Sequence, residues 1–185
     1  MDHGRMSGIS QAVVLITGIQ AAGKSSVAQA LAERLPKSVH LRGDTFRRMI
    51  VNGGADMTPE QHADAVAQLR LRHRLTAQAA DTYFQAGFTV VAQDVVLGAE
   101  LRHLVEQIHS RPLLLVVLAP SQEAVAAREA GRTKKAYGTW TVQQLDEGLR
   151  QDTPRLGLWL DTSTHTVEQT VTEILDRAWT EAAVR

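Results

Sequence analysis

The sequence predicts an α/β protein whose parallel sheet is covered by helices on both faces. Three observations lead to this class. Apolar runs bounded by turn signals alternate with longer stretches of helical period, which is typical of strand–helix–strand units. The runs at residues 12–17, 88–92 and 113–119 are rich in valine, leucine and isoleucine, as expected of strands buried on both faces. Helix-start signals precede several of the helical stretches. The three apolar runs are therefore expected to be the central strands.

Five runs are predicted to be strands. They are residues 12–17, 38–41, 88–92, 113–119 and 156–160. A Thr three residues before Gln can cap the first turn of a helix reciprocally, and such boxes open at Thr58, Thr141 and Thr166. The long helix predicted over residues 59–85 ends before Gly87.

Length and composition limit the classes of protein that this chain can be. At 185 residues, without repeats or a linker, it is expected to be one domain over residues 1–185, with residues 1–10 flexible. Its 20 lysines and arginines balance 20 aspartates and glutamates, so no overall attraction to nucleic acid or to an anionic membrane is expected. The absence of cysteine excludes disulfides and thiolate chemistry. The oligomeric state stays open.

The expected location is the cytoplasm. The longest apolar run, residues 113–119, is too short to span a bilayer. The first ten residues lack the apolar region of a signal peptide.

The first predicted strand is followed by the phosphate-loop motif G-x-x-x-x-G-K-S at residues 18–25, and an amphipathic helix follows the motif. This is the context that the motif requires. Glycines let backbone amides converge on phosphate oxygens, the lysine reaches the β- and γ-phosphates, and the serine hydroxyl ligates Mg²⁺. The residues expected to bind the nucleotide are Gly18, Gln20, Ala21, Ala22, Gly23, Lys24, Ser25 and Ser26.

A chance match and a dinucleotide fold both account less well for this glycine-rich segment. A chance match is expected in about one of a few hundred chains of this composition, before the strand and helix are demanded. A dinucleotide fold needs its middle glycine where this chain has Gln20, and it gives Lys24 no role. The motif therefore indicates a nucleoside triphosphate, ATP or GTP.

A candidate general base follows the second strand, in Arg42-Gly43-Asp44. Ligands of open α/β sheets lie beyond the carboxyl ends of the strands, so Asp44 is expected near the γ-phosphate, where it can accept the proton of an attacking hydroxyl. Arg47, one helical turn on, can hold the acceptor or a phosphate. The alternative is that Asp44 only caps a helix.

Asp94 ends the third apolar run, which is the form of a Walker B aspartate that holds Mg²⁺ directly or through water. Asp94 can equally orient the acceptor, and a simple helix cap near Gly98 is a third possibility. The sequence leaves these roles open.

A lid is predicted over about residues 128–140, where the chain is basic and interrupted by glycine. Arg128 and Arg132 are four residues apart, so a helix would place both on one face, aimed at the charge of the transferring phosphate. Lys134 and Lys135 are expected to be solvated. The basic cluster at residues 70–74 is likewise expected to be a solvated helix face.

The phosphate loop is followed, in this order, by Arg42-Gly43-Asp44, the segment 93–98 and Leu160-Asp161-Thr162-Ser163. With these motifs the chain resembles the chloramphenicol phosphotransferase-like family of P-loop kinases over nearly its whole length. It is similar, more distantly, to shikimate, gluconate and adenylylsulfate kinases. The resemblance implies a three-layer α/β/α fold with a five-stranded parallel sheet in the order 2-3-1-4-5. It also implies ATP with Mg²⁺ and phosphorylation of a hydroxyl on a small molecule.

Position by position, the resemblance implies a role for each matched residue. These are Asp44 as the base, Lys24 and Ser25 as phosphate and metal contacts, Asp94 as a site carboxylate, Arg128 and Arg132 as lid residues, and Thr162 beside the adenine. The chain departs from the chloramphenicol enzyme at Gln93-Asp94 and at residues 52–56, so another hydroxylated antibiotic is the implied acceptor. A metabolite or nucleotide-sugar kinase and a nucleotide-binding switch without transfer are the alternatives.

Overall fold

Strands and helices alternate along the computed structural model, which describes residues 10–131 and 138–185. The strands are β1 (Val13–Thr17), β2 (Ser38–Arg42), β3 (Thr89–Gln93), β4 (Leu113–Leu118), β5 (Leu158–Leu160) and β6 (Ala183–Val184). The helices are α1 (Lys24–Arg34), α2 (Asp44–Arg48), α3 (Ala63–Gln85), α4 (Ala99–Gln107), α5 (Gln122–Ala130), α6 (Val142–Glu147) and α7 (Val167–Glu181). A π-helical turn, Gly148–Asp152, continues α6.

The sheet has the predicted class and strand order. Parallel strands lie in the order β2-β3-β1-β4-β5, so the α/β class and the 2-3-1-4-5 topology are confirmed. A further strand, β6, pairs antiparallel with β4, where Leu113 faces Val184. The sheet therefore has six strands rather than five. The additional strand spans two residues, which is too short to produce a period in the sequence.

The core lies where the sequence places the central strands. Every residue of β1, β3 and β4 is buried, whereas β2, at the edge of the sheet, is partly exposed. Helix α1 packs beside α7, and α3 packs beside α4, so both faces of the sheet are covered. Burying each large apolar side chain of such a core contributes about 1.5–3 kcal/mol.

Two of the three predicted helix caps are confirmed. Thr141 and Thr166 each accept a hydrogen bond from the backbone amide three residues on, and the side-chain oxygen of the glutamine at that position accepts one from the threonine backbone amide. The box at Thr58 is wrong, because α3 begins at Ala63. Gln61 has a φ of 50°, which takes its backbone out of the right-handed helical region, and its amide donates to the Thr58 carbonyl in a turn.

The end of the long helix is as predicted, since α3 stops two residues before Gly87, which has a φ of 87°. Among the described residues, none of the helices is both long enough and apolar enough to cross a membrane.

Asp81 of α3 fastens the loop between α4 and β4. Its carboxylate accepts hydrogen bonds from the backbone amides of Ser110, at 2.8 Å, and His109, at 3.1 Å. Partial burial raises the pKa of Asp81, but the hydrogen bonds from Ser110 and His109 outweigh it and hold the pKa below its ordinary value. The ionised carboxylate therefore stabilises the fold.

We expect Asp81→Ala to lower the free energy of unfolding by about 2 kcal/mol at neutral pH, because two amides lose a charged acceptor. The pKa is lower in the folded state, so this stability is present above the unfolded pKa and is lost as the pH falls through the folded pKa. Urea unfolding of both proteins, at neutral pH and at the lowest pH at which each remains folded, measures the difference. Asp64→Ala, at an exposed position of α3, is the control. An Asp81→Ala difference that persists unchanged at low pH contradicts the assignment.

Candidate functional site

The loop between β1 and α1 reverses the chain within six residues, 18–23. Gly18 packs so closely on β4 that a Cβ would lie 2.6 Å from the Leu118 carbonyl oxygen. Ala21 and Gly23 have φ values of 63° and 98°, and the Ala22 amide donates to the Ile19 carbonyl at 3.2 Å. A left-handed residue other than glycine is strained, and such strain is typical of loops whose amides converge on a ligand.

The amino end of α1 is suited to an anion. Its cap residue, Gly23, has no side chain that could bond to the first amides of the helix, and the first turn contains no acidic residue. The first amides of a helix lack partners within the helix and lie at the positive end of its dipole. Apart from its neighbours along the chain, none of the described residues has an atom within 4 Å of the position of a Cβ on Gly23, so the space above the loop is open. These features fit a polyphosphate.

Lys24 and Ser25 lie where the motif requires them. The Lys24 side chain folds over the loop, and its Nζ donates to the Ile19 carbonyl at 2.7 Å. The Ser25 hydroxyl accepts a hydrogen bond from Gln93 Nε2 at 3.2 Å. Gln93, which no sequence motif singles out as a site residue, is therefore the β3 residue that reaches Ser25. Parallel pairing opposite Ile16 in β1 places it there.

The oxygen atoms of the site fit Mg²⁺ only as part of a complex with bound phosphate. Among the described residues no group of three or more His, Asp or Glu could hold a metal. Mg²⁺ in nucleotide sites is commonly held by one or two protein oxygens together with phosphate oxygens and waters. The Ser25 hydroxyl, beside the open space above the loop, could supply one such oxygen.

Asp94 lies in the interior, between the ends of the strands and α3. Its Oδ1 accepts from the Val95 amide at 2.8 Å, and its Oδ2 lies 2.8 Å from Arg72 Nε. A Cβ on Gly43 would overlap this carboxylate, so only glycine fits at the end of β2. Burial raises the pKa of Asp94, against the opposing effect of the Arg72 charge. Asp94 does not cap α4, whose cap residue is Gly98.

The basic cluster on α3 is only in part a solvated face. Arg70 and Arg74 are exposed. The Arg72 side chain is 15% exposed and pairs with Asp94, and the His73 side chain is 2% exposed. The expectation of a solvated face is therefore wrong for Arg72 and His73. Helical period alone does not reveal that Asp94 lies opposite the cluster.

Asp44 is the first residue of α2 and lies at the predicted strand end. Its carboxylate contacts Arg47 Nε at 3.1 Å and Arg48 Nη2 at 2.5 Å. Partial burial raises the pKa of Asp44, but the Arg47 hydrogen bond and the two arginine charges hold it below its ordinary value. Arg47 also bonds to Asp56 at 2.5 Å, which ties α2 to the following segment. The side chain of Asp44 is 36% exposed, so an acceptor can reach it.

Arg128 joins two loops at the donor end. Its guanidinium donates to the Ala22 carbonyl at 3.3 Å and to the Thr162 carbonyl at 2.5 Å. Its predicted contact with the transferring phosphate stays a prediction. The Thr162 hydroxyl is buried and has no hydrogen-bond partner among the described residues, which leaves it available to a ligand. Arg132, the second predicted lid arginine, lies outside the described residues.

One cleft of about 1880 Å³ joins these groups. Its walls include the phosphate loop, α2, the first half of α3 and the segment after β3. Lys24, Asp44, Asp94, Arg128 and Thr162 all line it. The phosphate end and the Asp44 end thus share one space, which a nucleotide and a second molecule could occupy together.

Comparison with known proteins supports a nucleotide-binding fold. A model of the family described as AAA domain matches residues 13–154. An adenylyl-sulfate kinase from Paraburkholderia xenovorans is 35% identical over 102 residues, which are 53% of this chain and 51% of that protein. The match thus spans about half the length of this relative.

Solved structures extend the likeness to nearly the whole chain. The tunicamycin resistance protein of Deinococcus radiodurans has a TM-score of 0.68 and 19% identity, covering 95% of this chain and 100% of that one. A sugar kinase from a Janibacter species has a TM-score of 0.67 and 19% identity, covering 91% and 94%. Both likenesses concern the fold. The resemblance to P-loop kinases is thereby supported at the level of the fold, and the chloramphenicol phosphotransferase-like family stays a prediction.

We expect Lys24→Ala to weaken the binding of ATP by at least about tenfold, because the ammonium that meets the phosphates is lost. Titration calorimetry with Mg-ATP measures the dissociation constant. Lys37→Ala is the control, since Lys37 is exposed and bonds to the Ala86 carbonyl away from the cleft. Equal affinity of Lys24→Ala and the parent protein would overturn the nucleotide site.

Proposed function

The chain belongs to the AAA domain family, and we propose that it is a phosphotransferase that moves the γ-phosphate of ATP or GTP to a hydroxyl of a small molecule. The observation that carries this proposal is that Asp44 and the phosphate loop line the same cleft. A site that only binds nucleotide needs no carboxylate facing the phosphate end. The likeness to small-molecule kinases in fold is consistent with the proposal.

The reaction that this geometry supports is an in-line transfer. The acceptor hydroxyl donates its proton to the Asp44 carboxylate, its oxygen forms a bond to the γ-phosphorus, and the bond between that phosphorus and the bridging oxygen of the nucleoside diphosphate breaks. Arg47 and Arg48 keep Asp44 ionised, so it can orient the hydroxyl from the start. Because the transition state is largely dissociative, the proton leaves late and a strong base is not needed.

The donor half of the reaction depends on the phosphate loop. Lys24 and the amides at the start of α1 would bind the β- and γ-phosphates and offset the charge of the leaving group. Bound Mg²⁺, held by Ser25, would supply further charge neutralisation on the phosphate oxygens. Thr162 would meet the base or ribose at the far end of the cleft.

Two carboxylates of the site have opposite pKa shifts, which separates their roles. The pKa of Asp44 is lowered and that of Asp94 is raised. Such divergence supports the ionised group as the base. Asp94, buried against Arg72, would position α3 and the acceptor wall rather than bind Mg²⁺ directly.

Within this class, an antibiotic with a free hydroxyl is the acceptor that we propose, with a metabolite or nucleotide sugar as the alternative. The tunicamycin resistance protein shares the fold over nearly the whole of both chains, which makes hydroxylated nucleoside antibiotics the first compounds to test. Incubating the protein with ATP or GTP and a panel of hydroxylated antibiotics and sugars, scored by the mass of one added phosphoryl group, identifies the acceptor.

We expect Asp44→Asn to lower the rate of transfer by at least about a hundredfold while leaving the affinity for Mg-ATP within about twofold, because the base is lost and the phosphate loop is untouched. Single-turnover transfer and calorimetry measure the two quantities separately on the acceptor that the panel identifies. Asp64→Asn, outside the cleft, is the matched control. Undiminished transfer by Asp44→Asn would contradict the assignment of the base.

A further inference from the structure

His73 is a buried polar residue in the cleft wall that the proposed reaction does not use. Its side chain is 2% exposed and lines the cleft beside Glu100. Neither ring nitrogen has a hydrogen-bond partner among the described residues. Burial lowers the pKa of His73 to about 4, so the ring is neutral near pH 7 and carries one donor and one acceptor.

Leaving both nitrogens without partners is unfavourable for the protein. Each buried polar atom without a hydrogen bond costs about 1–3 kcal/mol, and an apolar residue of similar size avoids that cost. A third such atom lies beside His73, since Glu100 Oε2 is also buried without a hydrogen bond among the described residues and is 3.8 Å from His73 Nδ1. Three polar atoms without hydrogen bonds thus belong to two neighbouring residues, on α3 and α4, that line the same cleft.

The charges around this region are balanced. Arg70 donates two hydrogen bonds to Glu100 Oε1, at 2.9 and 3.1 Å, whereas His103 Nδ1 lies 3.6 Å from Oε2, beyond hydrogen-bond distance. Arg72 faces Asp94, and Arg47 and Arg48 face Asp44. Arg42 lies two residues after His40 on β2, so the two side chains are on the same face of the sheet. The His40 ring bonds to Gln29 of α1, which places Arg42 on the α1 side. An anionic acceptor would have to compete with carboxylates for these guanidinium groups.

We propose that His73 and Glu100 form the specificity-determining contact for the acceptor, and that the acceptor is a neutral molecule whose neighbouring hydroxyl groups bond to His73 Nδ1, His73 Nε2 and Glu100 Oε2. This inference rests on the proposed phosphotransferase function. A sugar-like ring has the required chemistry, since each hydroxyl both donates and accepts. A hydroxyl of the same ring then meets Asp44 across the cleft.

The first test measures stability and needs no acceptor. We expect His73→Leu to keep or raise the melting temperature, because it removes two polar atoms that lack partners. A large fall in melting temperature, or failure to fold, would show that His73 is bonded within the protein and would overturn the proposal. His103→Leu is the control, since His103 also neighbours Glu100 but is 47% exposed and does not line the cleft.

The second test measures transfer from Mg-ATP to paired probes that differ chiefly in charge, namely glucose with glucuronate and uridine with uridine 5′-phosphate. We expect transfer to a neutral probe, and we expect His73→Leu to raise its KM by at least about tenfold with the KM for ATP within about twofold. His73→Gln, which retains a donor and an acceptor, should recover part of the loss.

The outcomes separate this inference from the function on which it rests. Transfer to the anionic probes alone supports the phosphotransferase and overturns the neutral acceptor. Transfer neither to these probes nor to any compound of the antibiotic and sugar panel, by a protein that binds Mg-ATP, overturns both. An unchanged KM in His73→Leu overturns the contact with His73 but leaves the phosphotransferase in place.

Discussion

The parallel register of β1 between β3 and β4 is the constraint on which the site depends. It aligns the carboxyl ends of the strands, with Ile16 opposite Gln93 and Thr17 opposite Val117. The Thr17 hydroxyl donates to the Val96 carbonyl and accepts from the Val96 amide, both at 3.0 Å, so the segment after β3 is fixed to the end of β1. The phosphate loop and Asp94 thus start from one rigid edge.

The Asp94 carboxylate is buried at this same edge of the sheet, between Gly43 and Arg72. Gly43 approaches the Asp94 carboxylate so closely that no side chain fits between the ends of β2 and β3. Arg72 comes from α3 to face that carboxylate, and an unpaired charge at this depth would cost several kcal/mol. The pair therefore fixes α3 against the sheet. Because α3 carries His73 as well, the ion pair also fixes the wall that the acceptor would meet.

The features that the sequence predicted are those encoded over short distances. The strands buried on both faces, the capping boxes at Thr141 and Thr166 and the loop after β1 each occupy fewer than about ten residues, and each was found where the residues indicate. Gln61 shows the limit of such signals, because a proline and a capping pattern suggested a helix that the left-handed backbone of Gln61 prevents. The pairing of Arg72 with Asp94 joins residues distant in sequence, so no local pattern reveals it.

The two halves of the proposed site differ in whether they are formed by neighbouring or by distant residues. The proposed donor half is a continuous segment whose backbone would bind phosphate, so most side-chain changes elsewhere leave it intact. The acceptor half is assembled from α2, α3 and the segment after β3, and its groups bond to one another across these elements. A change of one member there alters the shape and polarity of the cleft wall without disturbing the sheet. Proteins that share this fold can therefore keep the same donor chemistry while their acceptors differ.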